Sequence, residues 1–431
     1  MRSVRRAALS LSLITAVVAT GCSATTTTAQ SAAVSEISIP GTPGPGVTPT
    51  EITLASFSYA GTGKPTWDAI VAAYNAAGGI AGHKITMVAQ APPTQTAPGA
   101  SQADAARTDC LAVTEHPGGV FAVLVASSDP DFTSCVNDHG IVAVPVAGFA
   151  IDSSTFERSP YTAVLGLSYE RLAAGLAAQL QGAGFLKDAK NVAVVTATGV
   201  DDEDSVAQRT LVPLLKSAGV PNVTVTTVDT RGTGEAAASV ALKLKSIAPD
   251  RIVVFGSAWN LISVVQEVVK QQLAAPVALT DVAVTRSRFE FSGLSNAPES
   301  QRVQSVVVNI STQSGAQLQQ DRVNAANPAA VKCMKIMSDN HLAADPASLR
   351  ICESLDLLKA GLDKSGSKQV NAQAFAKGLN ALSDFAAISV YQAGFGPGRH
   401  DGAGATQLMK YSSACTCFEP AGSPMPVPAT K

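Results

Sequence analysis

The sequence predicts an α/β protein built on two parallel sheets, each covered by helices on both faces. Val-rich runs such as "VFAVLVA", "VAVV" and "IVVFG" are apolar throughout, as strands buried on both faces must be. Ala-rich segments with amphipathic spacing separate them, so strand and helix alternate along the chain. With 431 residues, 46% of them hydrophobic, the chain is long enough for two domains with sizeable cores.

The elements follow in order. Arg2, Arg5 and Arg6 precede an apolar run from Ala7 to Ala19, and Ala19-Thr20-Gly21-Cys22 follows. A positive end, a short apolar stretch and small residues before a cut site predict an export signal over residues 1–22. The run is too short to remain as a membrane-spanning helix. Residues 23–49, rich in Thr, Ala, Ser, Pro and Gly, predict a flexible tether, because such a segment buries little apolar surface.

"EITLASFSY" predicts the first strand, and "KPTWDAIVAAYNAAGG" a helix opened by Pro65 and stopped by glycines. "HKITMVAQ", "VFAVLVASS" and "IVAVPVAGF" predict strands, with helices in "ASQADAARTDCLAVTE" and "FTSCVNDHG" between them. The rhythm resumes with helices 169–182, 203–218, 234–247 and 259–273 and strands 191–197, 222–228, 251–256 and 276–282. After residue 285 the pattern loosens: a strand in "RVQSVVVNIS", helices in "NPAAVKCMKIM", "ASLRICESLDLLKAGLDKSG" and "AQAFAKGLNAL", then a terminal hairpin region. Helix-rich material after two complete sheets must return to cover them, so no third domain is expected.

A net charge of -2 gives no electrostatic reason to expect nucleic acid as a partner. Seven Cys less Cys22 leave six, an even number in an exported chain, which predicts disulfides. Cys110–Cys135 and Cys333–Cys352 are the favoured pairs; Cys415 and Cys417 then form a small ring or cross elsewhere, and the fifteen possible pairings stay open. The scattered Cys and the absence of a His at ligand spacing argue against metal. No cofactor motif is present, and dispersed His83, His116, His139, His341 and His400, in turns or at helix ends, do not suggest an enzyme.

The glycines of "AAYNAAGGIAGHKI" are not a phosphate loop. Gly82 is followed by His83 and no Ser or Thr comes after Lys84, and the stretch lies after a helix instead of opening one. Gly78, Gly79 and Gly82 instead predict a helix stop and a reversal into a strand.

Asn75, Gly78, Gly79, Ile80, Gly82 and Ile85 in this stretch resemble the helix-turn-strand signature of the type I periplasmic-binding-protein family, branched-chain amino-acid branch. The resemblance continues through "GIVAVPVAGF", "NVAVVTATGVDDEDSVAQRTLVPLLKSAG", "PDRIVVFGSA", "SLRICESLDLLKAGL" and "FGPGRHDGAGATQLMKY", covering about residues 50–415. Cys22 after Gly21 likewise resembles the bacterial lipoprotein box, with Ala19 where Leu is usual, implying an acylated Cys22. The family resemblance implies two Rossmann-like lobes joined by three crossovers near residues 160–168, 283–305 and 388–396. Lobe 1 then spans 50–163 and 285–390, and lobe 2 spans 164–284 and 391–431.

Ligands of open parallel sheets bind beyond the carboxyl ends of the strands. That rule selects Ser58, Tyr59, Ser127, Ser128, Asp129, Ala147, Gly148 and Phe149 in the first lobe, and Thr198, Asp201, Ser257, Trp259 and Asp281 in the second. The resemblance implies that Ser127 or Ser128 holds a ligand carboxylate, with Phe149 standing where Thr is usual. It places an acid for the ligand ammonium nearest Asp281. Ser127 and Ser128 also read as helix caps, and 201–204 as a solvated helix start. The implied function is a monomeric, lipid-anchored receptor delivering a small polar ligand to an ABC permease. A sensor of the same fold signalling to a membrane kinase is the alternative.

Overall fold

The computed structural model describes residues 42–57, 63–90, 102–126, 129–145, 151–198, 202–229, 234–256, 260–280, 306–309, 325–412 and 417–429. The first sheet holds β1 (Glu51–Phe57), β2 (Lys84–Gln90), β3 (Ala122–Ala126) and β4 (Val142–Pro145), all parallel in the order β2-β1-β3-β4. Between these strands run α1 (Lys64–Ala76), α2 (Gln102–Thr114) and α3 (Pro130–Asp138).

The second sheet is entered through α4 (Ser153–Arg158) and α5 (Tyr169–Gly182). Its strands are β5 (Asn191–Thr198), β6 (Asn222–Asp229), β7 (Arg251–Val254), β8 (Val277–Thr280) and β9 (Val306–Asn309), parallel in the order β6-β5-β7-β8-β9. β10 (Ala405–Ser412) adds antiparallel to β9, and both β11 (Cys417–Pro420) and β12 (Met425–Pro426) pair with β10. Two parallel sheets with flanking helices are what the Val-rich runs predict. β9, however, lies within the range expected to return to the first lobe, yet its backbone pairs with β8. With three successive Val and no alternation, "VVVN" carries no mark of which sheet it joins.

The signature turn is built as its glycines require. Gly78, Gly79 and Gly82 have φ of 98°, 72° and 81°. A Cβ on Gly79 would stand 1.9 Å from the His83 carbonyl oxygen, so only glycine fits there. The Asn75 side chain accepts from the Ile85 N–H at 2.7 Å and donates to its carbonyl at 3.0 Å, pinning α1 to β2.

The predicted helix 203–218 is interrupted. α6 (Glu203–Val206), a π-helical turn (Ala207–Leu211) and α7 (Val212–Ser217) run on continuously. Pro213 has no N–H for the carbonyl four residues back, and its ring crowds that turn. The preceding turn widens, with the Val212 N–H reaching the Ala207 carbonyl. α8 (Gly234–Ile247) and α9 (Asn260–Lys270) complete the cover of this sheet.

After β9 come α10 (Pro328–Asp339), α11 (Pro346–Ser365) and α12 (Ala372–Asn380). Asn327 caps α10, and Asp345 with Ser348 forms a capping box on α11. These helices return to α1: Tyr74 Oη donates to Asp356 Oδ1 at 2.7 Å and to the Cys352 carbonyl at 3.0 Å. The two favoured disulfides are present. Cys110–Cys135 joins α2 to α3, and Cys333–Cys352 joins α10 to α11. Loops of this length are worth about 3 kcal/mol each in the chain-entropy model. Cys417 opens β11, whereas Cys22 and Cys415 lie outside the described residues.

The tether expected to run to residue 49 is packed from residue 42 onward. The Gly44 N–H donates to the Val370 carbonyl at 2.9 Å, and Asn371 donates to that of Thr42 at 3.1 Å. Gly46 and Gly119 approach so closely that a Cβ on Gly46 would lie 2.8 Å from the Gly119 oxygen. The strap is held by backbone contacts and glycine clearance, so its lack of an apolar face did not betray it.

Candidate ligand cleft

β4 and β5 end on segments that meet. Beyond β4, Asp152 caps α4 by accepting from the Ser154 N–H. Beyond β5, Arg209 projects from the π-helical turn and lies 3.3 Å from Asp152 and 2.6 Å from Glu170. Glu170 in turn accepts from the Ser153 N–H at 3.1 Å, and the Tyr169 N–H donates to the Ile151 carbonyl at 3.1 Å. The segments that follow β4 and β5 are thereby brought together. Burial opposes the charge on Asp152, yet the Ser154 hydrogen bonds and Arg209 hold its carboxyl below the usual range.

Beside this junction two stretches of chain run side by side. The Ala163 N–H donates to the Ala143 carbonyl, so the first crossover runs alongside β4. It then pairs with residues 400–403: Val164 N–H to the His400 carbonyl, Gly402 N–H to that of Val164, and Ala403 N–H to that of Gly166. Asp401 Oδ2 accepts from the Ser168 N–H at 2.7 Å and Asp401 Oδ1 lies 2.9 Å from Arg171. A second clamp is Glu353, fully buried, whose Oε1 accepts the N–H groups of Ile388 and Ser389. His400 is also buried (7% exposed) against Phe156.

In the second sheet, the carboxyl ends of β5, β7 and β8 supply the candidate residues. Thr198 is the last residue of β5 and is half-buried. Thr280 ends β8 and its hydroxyl donates to the Gly256 carbonyl at 2.9 Å. Gly256 follows β7 with φ 134°, a conformation that only glycine adopts readily. Glu203 faces it: a Cβ on Gly256 would lie 2.1 Å from Glu203 Oε2. The helix start expected to be solvated is therefore not so at Glu203, which is fully buried and accepts from Tyr169 Oη at 2.7 Å. Sequence reasoning missed it because an acid in a first helical turn is ordinarily solvated; the partner glycine is 53 residues away.

In the first lobe the cap of α3 is Asp129, whose Oδ1 accepts from Asp131 and Phe132 N–H. Ser56, near the end of β1, is buried with its hydroxyl unpartnered among the described residues. Ser58, Tyr59, Ser127, Ser128, Ala147, Gly148, Phe149, Asp201, Ser257, Trp259 and Asp281 lie outside the described residues.

Among the described residues, one group of three potential metal ligands comes together, Cys110, Cys135 and His139. His139 stands one helical turn beyond Cys135, a spacing the sequence reading overlooked, but the two sulfurs are bonded to each other. The group is a disulfide with a neighbouring His.

The sequence matches no family model and no curated protein sequence. Solved structures do match. The fatty acid ABC transporter substrate-binding protein from Thermomonospora curvata has TM-score 0.63 at 17% identity, over 89% of this chain and 95% of that one. A solute-binding protein of an ABC transporter from Rhodopseudomonas palustris HaA2, in complex with p-hydroxybenzoic acid, has TM-score 0.60 at 14% identity, over 88% and 97%. The branched-chain amino acid transporter substrate-binding protein from Streptococcus pneumoniae, in complex with isoleucine, has TM-score 0.59 at 16% identity, over 88% and 100%.

The fold is that of the type I periplasmic binding proteins. Asp152, Tyr169 and Arg209 lie where the segments that follow β4 and β5 come together. Nearly the whole length of each neighbour is matched, so the fold is present as a whole and not as one lobe.

Proposed function

We propose that this chain is an extracytoplasmic, lipid-anchored solute receptor, acylated at Cys22, that captures a small polar ligand between its lobes for an ABC permease. The observation that supports the reading is a fold of two parallel sheets whose connecting segments after β4 and β5 join beside a paired crossover. Such an arrangement closes by hinge motion around a small molecule. The neighbours' fatty acid, p-hydroxybenzoic acid and isoleucine share a carboxylate, which supports a carboxylate-bearing ligand, an amino acid or a related acid, here too. Ser127 or Ser128 would receive the carboxylate, and Asp281 an ammonium group if the ligand has one. Support for a binding protein over an enzyme comes from the same neighbours.

The test is a thermal-shift screen of the exported chain against amino acids, aromatic acids, fatty acids, amides and sugars. A ligand at 100 times its Kd adds about 2.7 kcal/mol and raises the melting temperature by several degrees. A carboxylate is expected among the hits, and a hit confined to neutral sugars would overturn the ligand class.

A further inference from the structure

α2 and α3 meet at a group whose imidazole has no part in the proposed function. Cys110 of α2, Cys135 of α3 and His139, which caps the end of α3, each bring a ligand atom within 4.8 Å of the other two. Cys110 is buried, Cys135 half-buried and His139 exposed, so the group is open to solvent on its imidazole side. The ring is held in place, because its Nδ1 meets the Cys135 carbonyl at 2.9 Å one helical turn back. Ala106, Val113, Phe132 and Val136 share a core cluster with Cys110, so burial keeps α2 against α3 even when the sulfur bond opens. Cys333–Cys352 differs. Both residues are buried, and among the described residues no third metal ligand stands beside them.

We propose that Cys110, Cys135 and His139, once the disulfide is reduced, form a site for one divalent cation of the zinc type, which replaces the disulfide as the clip between α2 and α3. A dithiol reductant supplies two electrons and two protons: the Cys110–Cys135 bond breaks to two thiols, and the reductant closes to its own disulfide. The cation then displaces both thiol protons into solvent as two metal–sulfur bonds form, and an imidazole nitrogen gives its lone pair to a third bond. Water takes the fourth position. The donor set decides the class of cation, since two thiolates and an imidazole suit zinc, whereas magnesium and calcium take oxygen. Bonds of about 2.3 Å to sulfur and about 2.0 Å to nitrogen in a tetrahedron set the ligand atoms about 3.6 Å apart. A spacing of 4.8 Å or less is within a side-chain rotation of that. The redox state thus selects between two clips, a sulfur–sulfur bond and a metal.

The test needs no solute ligand, so it stands apart from the success or failure of the screen above. The full chain is used with Cys22, Cys415 and Cys417 replaced by Ser, which leaves the two disulfide pairs as the only sources of thiol. Cobalt, a spectroscopic stand-in for zinc, is titrated into oxidised and phosphine-reduced protein, and zinc is then added in competition. Reduced protein is expected to bind one cobalt per chain with a thiolate-to-metal charge-transfer band. Zinc should displace the cobalt and raise the melting temperature of the reduced protein by several degrees. Oxidised protein should show no such band. His139→Gln keeps both sulfurs and is expected to weaken cobalt binding about tenfold or more, at least the loss seen on removing an outer partner of a metal ligand. Cys333→Ser/Cys352→Ser should bind like the parent, and Cys110→Ser/Cys135→Ser should lose the band. A reduced parent without the band, a band that survives in Cys110→Ser/Cys135→Ser, or parental affinity in His139→Gln would overturn the proposal. If Cys110→Ser/Cys135→Ser does not fold, His139→Gln, which changes an exposed residue, decides alone.

Discussion

Arg171 Nη1 lies 2.9 Å from Asp401 Oδ1, and the same guanidinium donates to the carbonyls of Asp401 and Ala403 at 3.0 and 2.7 Å. With Asp401 also accepting from the Ser168 N–H, this pair fastens the first crossover to the chain entering β10. The side chains are 13% and 4% exposed, so solvent screens the pair little.

Removing one partner leaves the other charge buried. Arg171→Ala is expected to destabilise the fold by about 3 kcal/mol, the range seen on breaking buried pairs. Urea unfolding at constant m-value measures it. Lys64→Ala, which breaks a pair of two exposed side chains, should lie within about 0.5 kcal/mol of the parent.

His400 makes the same region sensitive to acid. Burial, its largest influence, lowers the His400 pKa below the ordinary 6.5, against smaller opposing effects of the Thr162 backbone and Asp401. Arg399 precedes it on the same strip, and Arg171 of α5 reaches the neighbouring Asp401. A depressed folded pKa means that the unfolded chain binds the proton first, so stability is full above 6.5 and falls as pH drops toward the folded value. Melting temperatures at neutral and mildly acid pH should show a steeper acid loss in the parent than in His400→Gln. Equal slopes would remove His400 from the account.

Two glycines of one turn should respond differently to the same change. Gly79→Ala forces a methyl against the His83 carbonyl and is expected to destabilise by several kcal/mol. Gly78→Ala meets nothing within 4 Å and pays only for its φ of 98°, about 1 kcal/mol. Chemical denaturation of the two variants side by side checks the ratio.

The disulfide between α10 and α11 closes a span of 19 residues. Replacing Cys333 and Cys352 together by Ser should lower unfolding stability by about 3 kcal/mol in the chain-entropy model. The loss should appear as a lower denaturation midpoint, with reductant moving the parent in the same direction.

Much of the fold was legible because burial is periodic. Helices 169–182 and 234–247 fall where α5 and α8 do, and the Val-rich runs became the strands of both sheets. The features that escaped depend on residues far apart in sequence. Nothing local to Glu203 announces Gly256, and nothing in "VVVN" tells β9 which neighbour to pair with. Pro213 gave a local sign, since a proline within a helical pattern must be accommodated, and the π-helical turn is how this chain does so. Residues 42–49 read as a tether because composition measures apolar burial and is blind to backbone bonds such as Gly44 to Val370. The strand-end rule named Thr198, which is the last residue of β5. Which side chains specify the ligand depends on loop conformation, which strand patterning does not encode.

The most direct measurement is a calorimetric titration of the strongest hit into the parent, the Ser127→Ala/Ser128→Ala double variant and Asp281→Asn. The account predicts one site per chain, a negative heat-capacity change from burial in a closing cleft, and affinity weakened about tenfold or more, roughly 1.4 kcal/mol, in the serine variant. For an amino-acid ligand it predicts a similar loss in Asp281→Asn. Parental affinity in both variants, or the absence of any titrating small molecule, would contradict it.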